Sequence, residues 1–256
     1  MSKLSVVIIT KNEEKNIRAC LETIEWADEL IIVDSFSEDK TVEIGKKFTD
    51  KIFLKKFINY SEQRNFADEK ASNYWILALD ADERITKELR GEIIKLINND
   101  KSYYDGYYIS TLDYMFGKFI KHGGWYPQYH IRLYKKEKAK WKNTVHEIPY
   151  IQGKISYLKN PILHFSHLKI SNFIKKLNHY TSIEAKELYE IGYKPNLFRL
   201  IFWPFIVFAY KYIYKLGFLD GIHGIVLSSS LAYYHFARYA KTWELWFKKE
   251  HNINDD

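Results

Sequence analysis

Cysteine is nearly absent, with Cys20 alone among 256 residues. A lone thiol supports neither an intramolecular disulfide framework nor a four-cysteine zinc site, and it fits a reducing compartment. Phosphate-cradling glycine loops are missing too. Neither Gly-x-Gly-x-x-Gly nor Gly-Lys-Ser/Thr occurs, so dinucleotide oxidoreductases and P-loop enzymes lose support. The N-terminus has no basic segment followed by an apolar run and a cleavage site, because Val6–Ile9 is only strand-length, and export by signal peptide is not expected. Long uninterrupted apolar runs are also lacking. The cleanest, Leu200–Tyr210, falls short of the roughly 18 residues of a membrane span and contains Pro204.

What the chain does have is enough apolar side chain, 46% of all residues, to bury a full core, so disorder is excluded. Its charge is uneven. Residues 1–100 hold 16 basic and 20 acidic side chains (−4), residues 101–190 hold 15 and 7 (+8), and residues 191–256 hold 8 and 5 (+3). The lysines are scattered and no nucleic-acid-binding signature accompanies them, so nucleic acid is not expected as a partner. A basic second half suits an anionic lipid surface or a phosphorylated acceptor.

Leu4–Ile9, Leu30–Val33 and Trp75–Leu79 are short apolar, β-branched runs that read as parallel strands buried on both faces. Between them, 16–26, 41–48 and 62–72 carry helical spacing, giving a β-α-β-α-β-α-β order and an α/β sheet. Ligands of such sheets bind beyond the carboxyl ends of the strands. There the sequence places Thr10-Lys11-Asn12-Glu13, then Asp34 to Asp39, then Asp80-Ala81-Asp82-Glu83. Ser37 and Asp39 can also serve as helix caps.

Asp80 and Asp82 stand two apart where a strand ends, so on an extended backbone their carboxylates share a side. Such an oxygen-only clamp suits Mg²⁺ or Mn²⁺, ions that bind through one or two carboxylates plus substrate phosphates. An acidic N-terminal part would then hold a diphosphate through the metal, which would also stabilise the charge on the leaving nucleotide.

These segments resemble the inverting family 2 glycosyltransferases with the GT-A fold, and most nearly a subgroup containing lipopolysaccharide-core β-1,4-glucosyltransferases. Ser5–Glu13 is similar to that family's first strand and nucleotide loop, Ile32–Thr41 to its second, and Gln63-Arg64-Asn65 with Trp75–Arg84 to its donor and metal segment. The resemblance implies a nucleotide-sugar fold, a Rossmann-like mixed sheet flanked by helices with a C-terminal amphipathic helical extension. It implies that Asp82 ligates the metal, that Asp80 contacts ribose or a metal-bound water, and that Asp34, Thr10 and Glu13 hold the nucleoside, with Lys11, Asn12, Ser37 and Asp39 beside them. Gln63, Arg64 and Asn65 would lie near the diphosphate or sugar, although these three also read as helix-start residues. UDP and glucose are implied by the resemblance alone.

Gly123–Pro127, His130–Tyr134 and Val145-His146-Glu147 resemble acceptor-side segments, which makes Trp125, Tyr126 and Arg132 acceptor-binding candidates. Trp125 and Tyr126 suit stacking on a sugar or packing in a core equally well. No Glu-Asp pair follows Asp82 where the family often carries its base, and Glu147 is the substitute, with His146, His164 and Asp113 competing. Leu197–Phe218, apolar and aromatic with interspersed Arg199, Lys211 and Lys215, reads as a helix in the headgroup plane, or else as a buried helix pair or oligomer interface. The expected organisation is 1–100 for the nucleotide sugar, 101–168 for the acceptor and 169–256 for a helical, membrane-interfacial region. The expected enzyme is cytoplasmic and peripheral on the inner face of the membrane. It transfers a hexose with inversion to a lipopolysaccharide-core, lipid-linked or other cell-surface glycan. A nucleotidyltransferase of similar fold and a non-catalytic nucleotide-sugar-binding adaptor are the alternatives, and the oligomeric state is open.

Overall fold

The computed structural model describes residues 3–98, 103–142, 148–167 and 169–253. The chain forms two compact units, one of 1–112 with 127–165 and one of 113–126 with 166–256. The first unit begins with the expected alternation: β1 (Leu4–Thr10), α1 (Ile17–Glu22), β2 (Glu29–Asp34), α2 (Thr41–Gly45), β3 (Ile52–Leu54), α3 (Tyr60–Lys70) and β4 (Trp75–Asp80). β1 pairs in parallel with both β2 and β4. Because β1 is central, both its faces are covered. Leu4, Val6 and Ile8 pack with Ile17, Leu21, Ile24 and Leu77, whereas Val7 and Ile9 pack with Ile31, Val33, Ala67 and Ile76. The period of two in a strand sends alternate side chains to opposite layers, and two apolar layers require an unbroken apolar run.

Next come β5 (Glu83–Ile85), α4 (Lys87–Ile97), β6 (Gly106–Met115), β7 (Lys118–Phe119), β8 (Gln128–Lys135), β9 (Ala139–Lys142), β10 (Ile148–Ile151), β11 (Ile155–Tyr157) and β12 (Ile162–His167). The sheet runs β3-β2-β1-β4-β8-β6-β12-β5, with β7 and β11 also paired to β6 and a separate β9–β10 ladder. β8 is antiparallel to β4, so the sheet is mixed. In α4, Thr86 caps the first turn by accepting from the Leu89 N–H, and Leu89, Ile93 and Ile97 recur every fourth residue on the buried stripe. α3 differs. Asn59 caps it, and its buried face carries Ser61, Gln63, Arg64, Ala67 and Asp68, a polar set that a helix serving only as core would not bury.

The second unit contains α5 (Ile170–Glu190), α6 (Leu197–Ala209) and α7 (Ile222–His251). Phe173 and Leu177 of α5, Leu227 of α7, Met115 and Ile120 form its core. α6 buries no residue. It passes through Pro204 without breaking and continues into a wider turn over Tyr210–Tyr214. The helical run Leu197–Tyr214 falls within the Leu197–Phe218 stretch read as a helix and extends the clean apolar run Leu200–Tyr210 on both sides. By length and composition it could cross a membrane, with a mean hydropathy of 1.3.

Candidate active site

The strand register sets Thr10 beside Asp34 and Ile9 beside Asp80, so the loops leaving β1, β2 and β4 emerge together at the carboxyl edge. The first two are stapled to each other. The Asn12 N–H donates to Ser37 Oγ (2.8 Å), the Glu13 N–H to Thr41 Oγ1 (2.7 Å), the Glu14 N–H to Asp39 Oδ2 (3.1 Å), and the Glu38 N–H to Asn12 Oδ1 (2.9 Å). Asn12 (φ 56°) and Phe36 (φ 59°) adopt left-handed backbone to make these turns. Asp34 is fully buried and accepts from the Ser37 N–H (2.7 Å) and hydroxyl. Its carboxylate therefore fixes the loop from within. Lys11 is exposed beside it.

α3 lays its polar face against the same edge. Gln63 donates to Ser35 Oγ (2.9 Å) and to the Lys55 carbonyl (3.2 Å). Arg64, whose side chain is only 2% exposed, donates to the Leu79 carbonyl (2.9 Å) and to Asp80 Oδ1, and lies over the Trp141 ring at 5.3 Å. Arg132 of β8 reaches the other Asp80 oxygen (2.9 Å) and Glu83 Oε1 (2.6 Å), because antiparallel pairing with β4 runs it back toward that strand's end. The second Glu83 oxygen accepts from the Asp80 N–H (2.9 Å). Although burial opposes charge on Asp80, the two guanidiniums hold its carboxyl well below the usual range. Glu83 moves the other way. Burial, with the Asp80 charge adding to it, pushes its carboxyl up to about 7 against the pull of Arg132.

This changes the expected clamp. Asp80 does not stand free beside Asp82, since both its oxygens accept from arginines. Arg132, an acceptor-binding candidate in the sequence, pairs here with Asp80 and Glu83. Asp82 has a different neighbour: its Oδ2 lies 3.4 Å from His164 Nε2. β12 pairs with β5 so that His164 faces Glu83, and the Phe165 N–H donates to the Asp82 carbonyl (2.9 Å). His164 thus belongs to the carboxylate site. Glu13 borders it, its carboxyl raised by burial and further by the charges of Asp82, Asp39 and Asp80.

Among the described residues no group of three or more His, Cys, Asp or Glu could hold a metal ion. The Asp82 carboxylate fits one position of a Mg²⁺ or Mn²⁺ ion whose other positions phosphate oxygens and water fill, and the neighbouring His164 nitrogen suits Mn²⁺ better than Mg²⁺. Thr10 Oγ1, Gln63 Oε1, Arg64 Nε and Arg132 Nε are buried at this edge without a hydrogen-bond partner among the described residues. Unspent donors and acceptors of this kind suit a polar ligand.

The remaining candidates fall elsewhere. Asn65 turns to the backbone of Trp141, donating to its carbonyl (3.0 Å) and accepting from its N–H (3.0 Å). The same tryptophan donates from Nε1 to the buried Asp68 (3.0 Å), which Tyr134 also contacts. Trp125 and Tyr126 belong to the second unit, where Trp125 packs edge-on against Phe173 at 6.3 Å. Glu147 and His146 lie outside the described residues.

Comparison with known proteins gives the family and the fold. The family model described as glycosyl transferase family 2 matches residues 5–162. An uncharacterized glycosyltransferase of Rickettsia typhi is 34% identical, over 100% of this chain and 92% of its own. The lipopolysaccharide core biosynthesis glycosyltransferase LpsC of Rhizobium meliloti is 29% identical, over 98% and 96%. Among solved structures, the mannosyltransferase PcManGT of Pyrobaculum calidifontis, in complex with GDP-Man and Mn²⁺, is 12% identical and shares the fold at a TM-score of 0.54, over 96% of this chain and 88% of that one. A mixed sheet with its polar loops gathered at the carboxyl edge, matched by that family over most of the sheet, makes the chain a member of glycosyl transferase family 2, a glycosyltransferase with the GT-A fold.

Proposed function

We propose that the enzyme transfers a hexose, glucose, from UDP-glucose with inversion to a lipopolysaccharide-core or other lipid-linked acceptor at the cytoplasmic face of the membrane. The observation that carries this is the carboxyl edge itself. Two stapled nucleotide loops, two buried arginines and the Asp82–His164 pair converge where a nucleotide diphosphate would bind. The loops around Asp34 and Asn12 are cross-linked by hydrogen bonds within the protein, which lowers the ordering cost left for nucleoside binding. Arg64 and Arg132 hold Asp80, and the positive charge that they gather at this edge favours an anionic diphosphate. Asp80 would orient them and limit their net charge.

Asp82 and His164 are the residues that would hold Mg²⁺ or Mn²⁺. When bound, the ion supplies Lewis-acid stabilisation of the charge on the departing diphosphate. On the acceptor side Glu147 would take the proton of the attacking hydroxyl while its oxygen bonds the anomeric carbon and the bond to the diphosphate breaks. The similarity to LpsC supports the acceptor class. α6, with no buried residue and with Phe202 and Phe205 more than half exposed, supports a helix lying in the headgroup region. Its flanking Arg199, Lys211 and Lys215 suit anionic lipid.

Product analysis on a panel of nucleotide sugars tests this reading. Release of nucleoside diphosphate with free or transferred sugar is the expected result. Release of pyrophosphate would instead show a nucleotidyltransferase, and donor binding with no turnover an adaptor.

A further inference from the structure

Within the second unit, two lysines one helical turn apart have no counter-charge among the described residues. Lys211 and Lys215 stand i, i+4 on the wide turn that ends the α6 run, a like-charge spacing that destabilises a helix. Neither is bonded to a carboxylate among the described residues. Asp220 is engaged by the Lys118 and His122 side chains and by the N–H groups of Lys121 (3.1 Å) and His122 (2.8 Å). Glu184 accepts from Arg238 (2.8 Å) and Tyr234. Burial, and then the charge of Lys215, lower the pKa of the Lys211 ammonium. Among the described residues, then, no carboxylate neutralises this positive charge.

The turn opposite is built for close approach. The Gly123 N–H donates to the Lys215 carbonyl (2.8 Å), and Asp220 fastens Lys121 and His122 to the short turn Gly217–Asp220 that follows. Gly123 (φ 68°) and Gly124 (φ 76°) are both left-handed, and a Cβ on Gly124 would stand 3.1 Å from Lys211 Nζ. A larger residue would crowd the ammonium. On the outer side, Lys215 Nζ lies 5.6 and 5.7 Å from the stacked rings of Tyr210 and Tyr214. Ile213, Tyr214, Phe218 and Leu219 around them are exposed. Uncompensated cations beside exposed apolar rings match an anion that brings its own apolar part.

We propose that Lys211 and Lys215, closing over the Gly123–Gly124 turn, bind the phosphate of a membrane lipid whose apolar portion meets the exposed face continuing from α6. This rests on the interfacial reading of that helix and names the group it docks on. The test is flotation of the full chain with phosphatidylcholine vesicles, plain, doped with phosphatidic acid, or doped with oleate to the same surface charge. K211Q/K215Q should lose roughly thirtyfold in affinity for phosphatidic acid vesicles while plain-vesicle binding persists. Its melting temperature should not fall, since a repulsive pair is removed. Equal loss in K175Q/K176Q, equal strengthening by oleate, or a lower melting temperature would overturn the site. Undiminished phosphatidic acid binding by K211Q/K215Q would sink the site while leaving the interfacial helix standing. If the wild type ignores every vesicle yet binds inorganic phosphate through these lysines, the lipid source and the interfacial helix both fail.

Discussion

Replacing Asp80 by asparagine is expected to destabilise the fold, whereas the same change at Asp82 leaves stability nearly intact. Asp80 accepts charge-assisted hydrogen bonds from two buried guanidiniums, Arg64 (2% exposed) and Arg132 (11% exposed). Each such bond is worth about 1.5–3 kcal/mol. An asparagine offers one neutral oxygen and turns an N–H₂ group toward the other arginine. Two terms reduce the loss: the Asp80 side chain keeps 36% exposure, and Arg132 retains Glu83, which is relieved of a neighbouring charge. The net cost should be about 2–4 kcal/mol, at the lower end of what breaking a buried pair costs. For a chain of this size that lowers the melting temperature by about 5–15 °C. Asp82 makes a single 3.4 Å pair with His164, both partners about a quarter exposed, and D82N should cost less than about 1 kcal/mol. Urea unfolding in metal-free buffer, followed by tryptophan fluorescence and far-ultraviolet circular dichroism, measures both. Coincident midpoints for D80N and D82N would refute the assignment of Asp80 as the anchor of the arginines.

Three further outcomes are expected. Burial pushes the Asp68 carboxyl up to about 7 despite the donors Tyr134 and Trp141, so the folded state keeps a proton that the unfolded chain releases near pH 4. Stability should therefore fall between about pH 4 and pH 7, by up to about 4 kcal/mol from this group, and D68N, which can still accept from both donors, should flatten that slope in pH-dependent urea titrations. E147Q should retain donor affinity but lose transfer by ~10²–10⁴-fold in initial-rate assays, and undiminished transfer would remove Glu147 as the base. Replacing Trp203 and Phe205 by serine should weaken liposome association and depress transfer to a lipid acceptor more than donor hydrolysis; unchanged sedimentation with liposomes would favour a packing role for α6.

The parallel half of the sheet was legible in the sequence because burial on two faces demands continuous apolar runs, and Leu4–Thr10 and Trp75–Asp80 have little other use. The loop motifs were legible because they are contiguous. The antiparallel half was less legible: β8 alternates Gln128, His130 and Arg132 with Tyr129, Ile131 and Leu133, a period-two strand signal, but nothing local says that the strand pairs with β4. The partners of Asp80 were hidden for a related reason. Arg64 and Arg132 lie 16 and 52 residues away, and only the seating of α3 and the β4–β8 pairing unite them. His164 stood in the sequence as a competing base candidate; its place beside Asp82 follows from the β5–β12 ladder, which no local pattern announces. α3 was legible in part: Gln63 and Arg64 stood as diphosphate or helix-start candidates, while Asp68, buried on the same face, had no local pattern to mark it.

The central claim is that Asp82, with His164, holds a divalent ion against a nucleotide diphosphate at the carboxyl edge. Its most direct test is the initial rate of nucleoside diphosphate release from a nucleotide sugar, titrated with Mn²⁺ for the wild type and D82N at one pH. The wild type should be inactive without metal and saturate with it, while D82N, folded by its unfolding curve, should lose at least about 10²-fold at every metal concentration. Near-normal release by D82N at low Mn²⁺, or wild-type release that ignores the metal, would contradict the account.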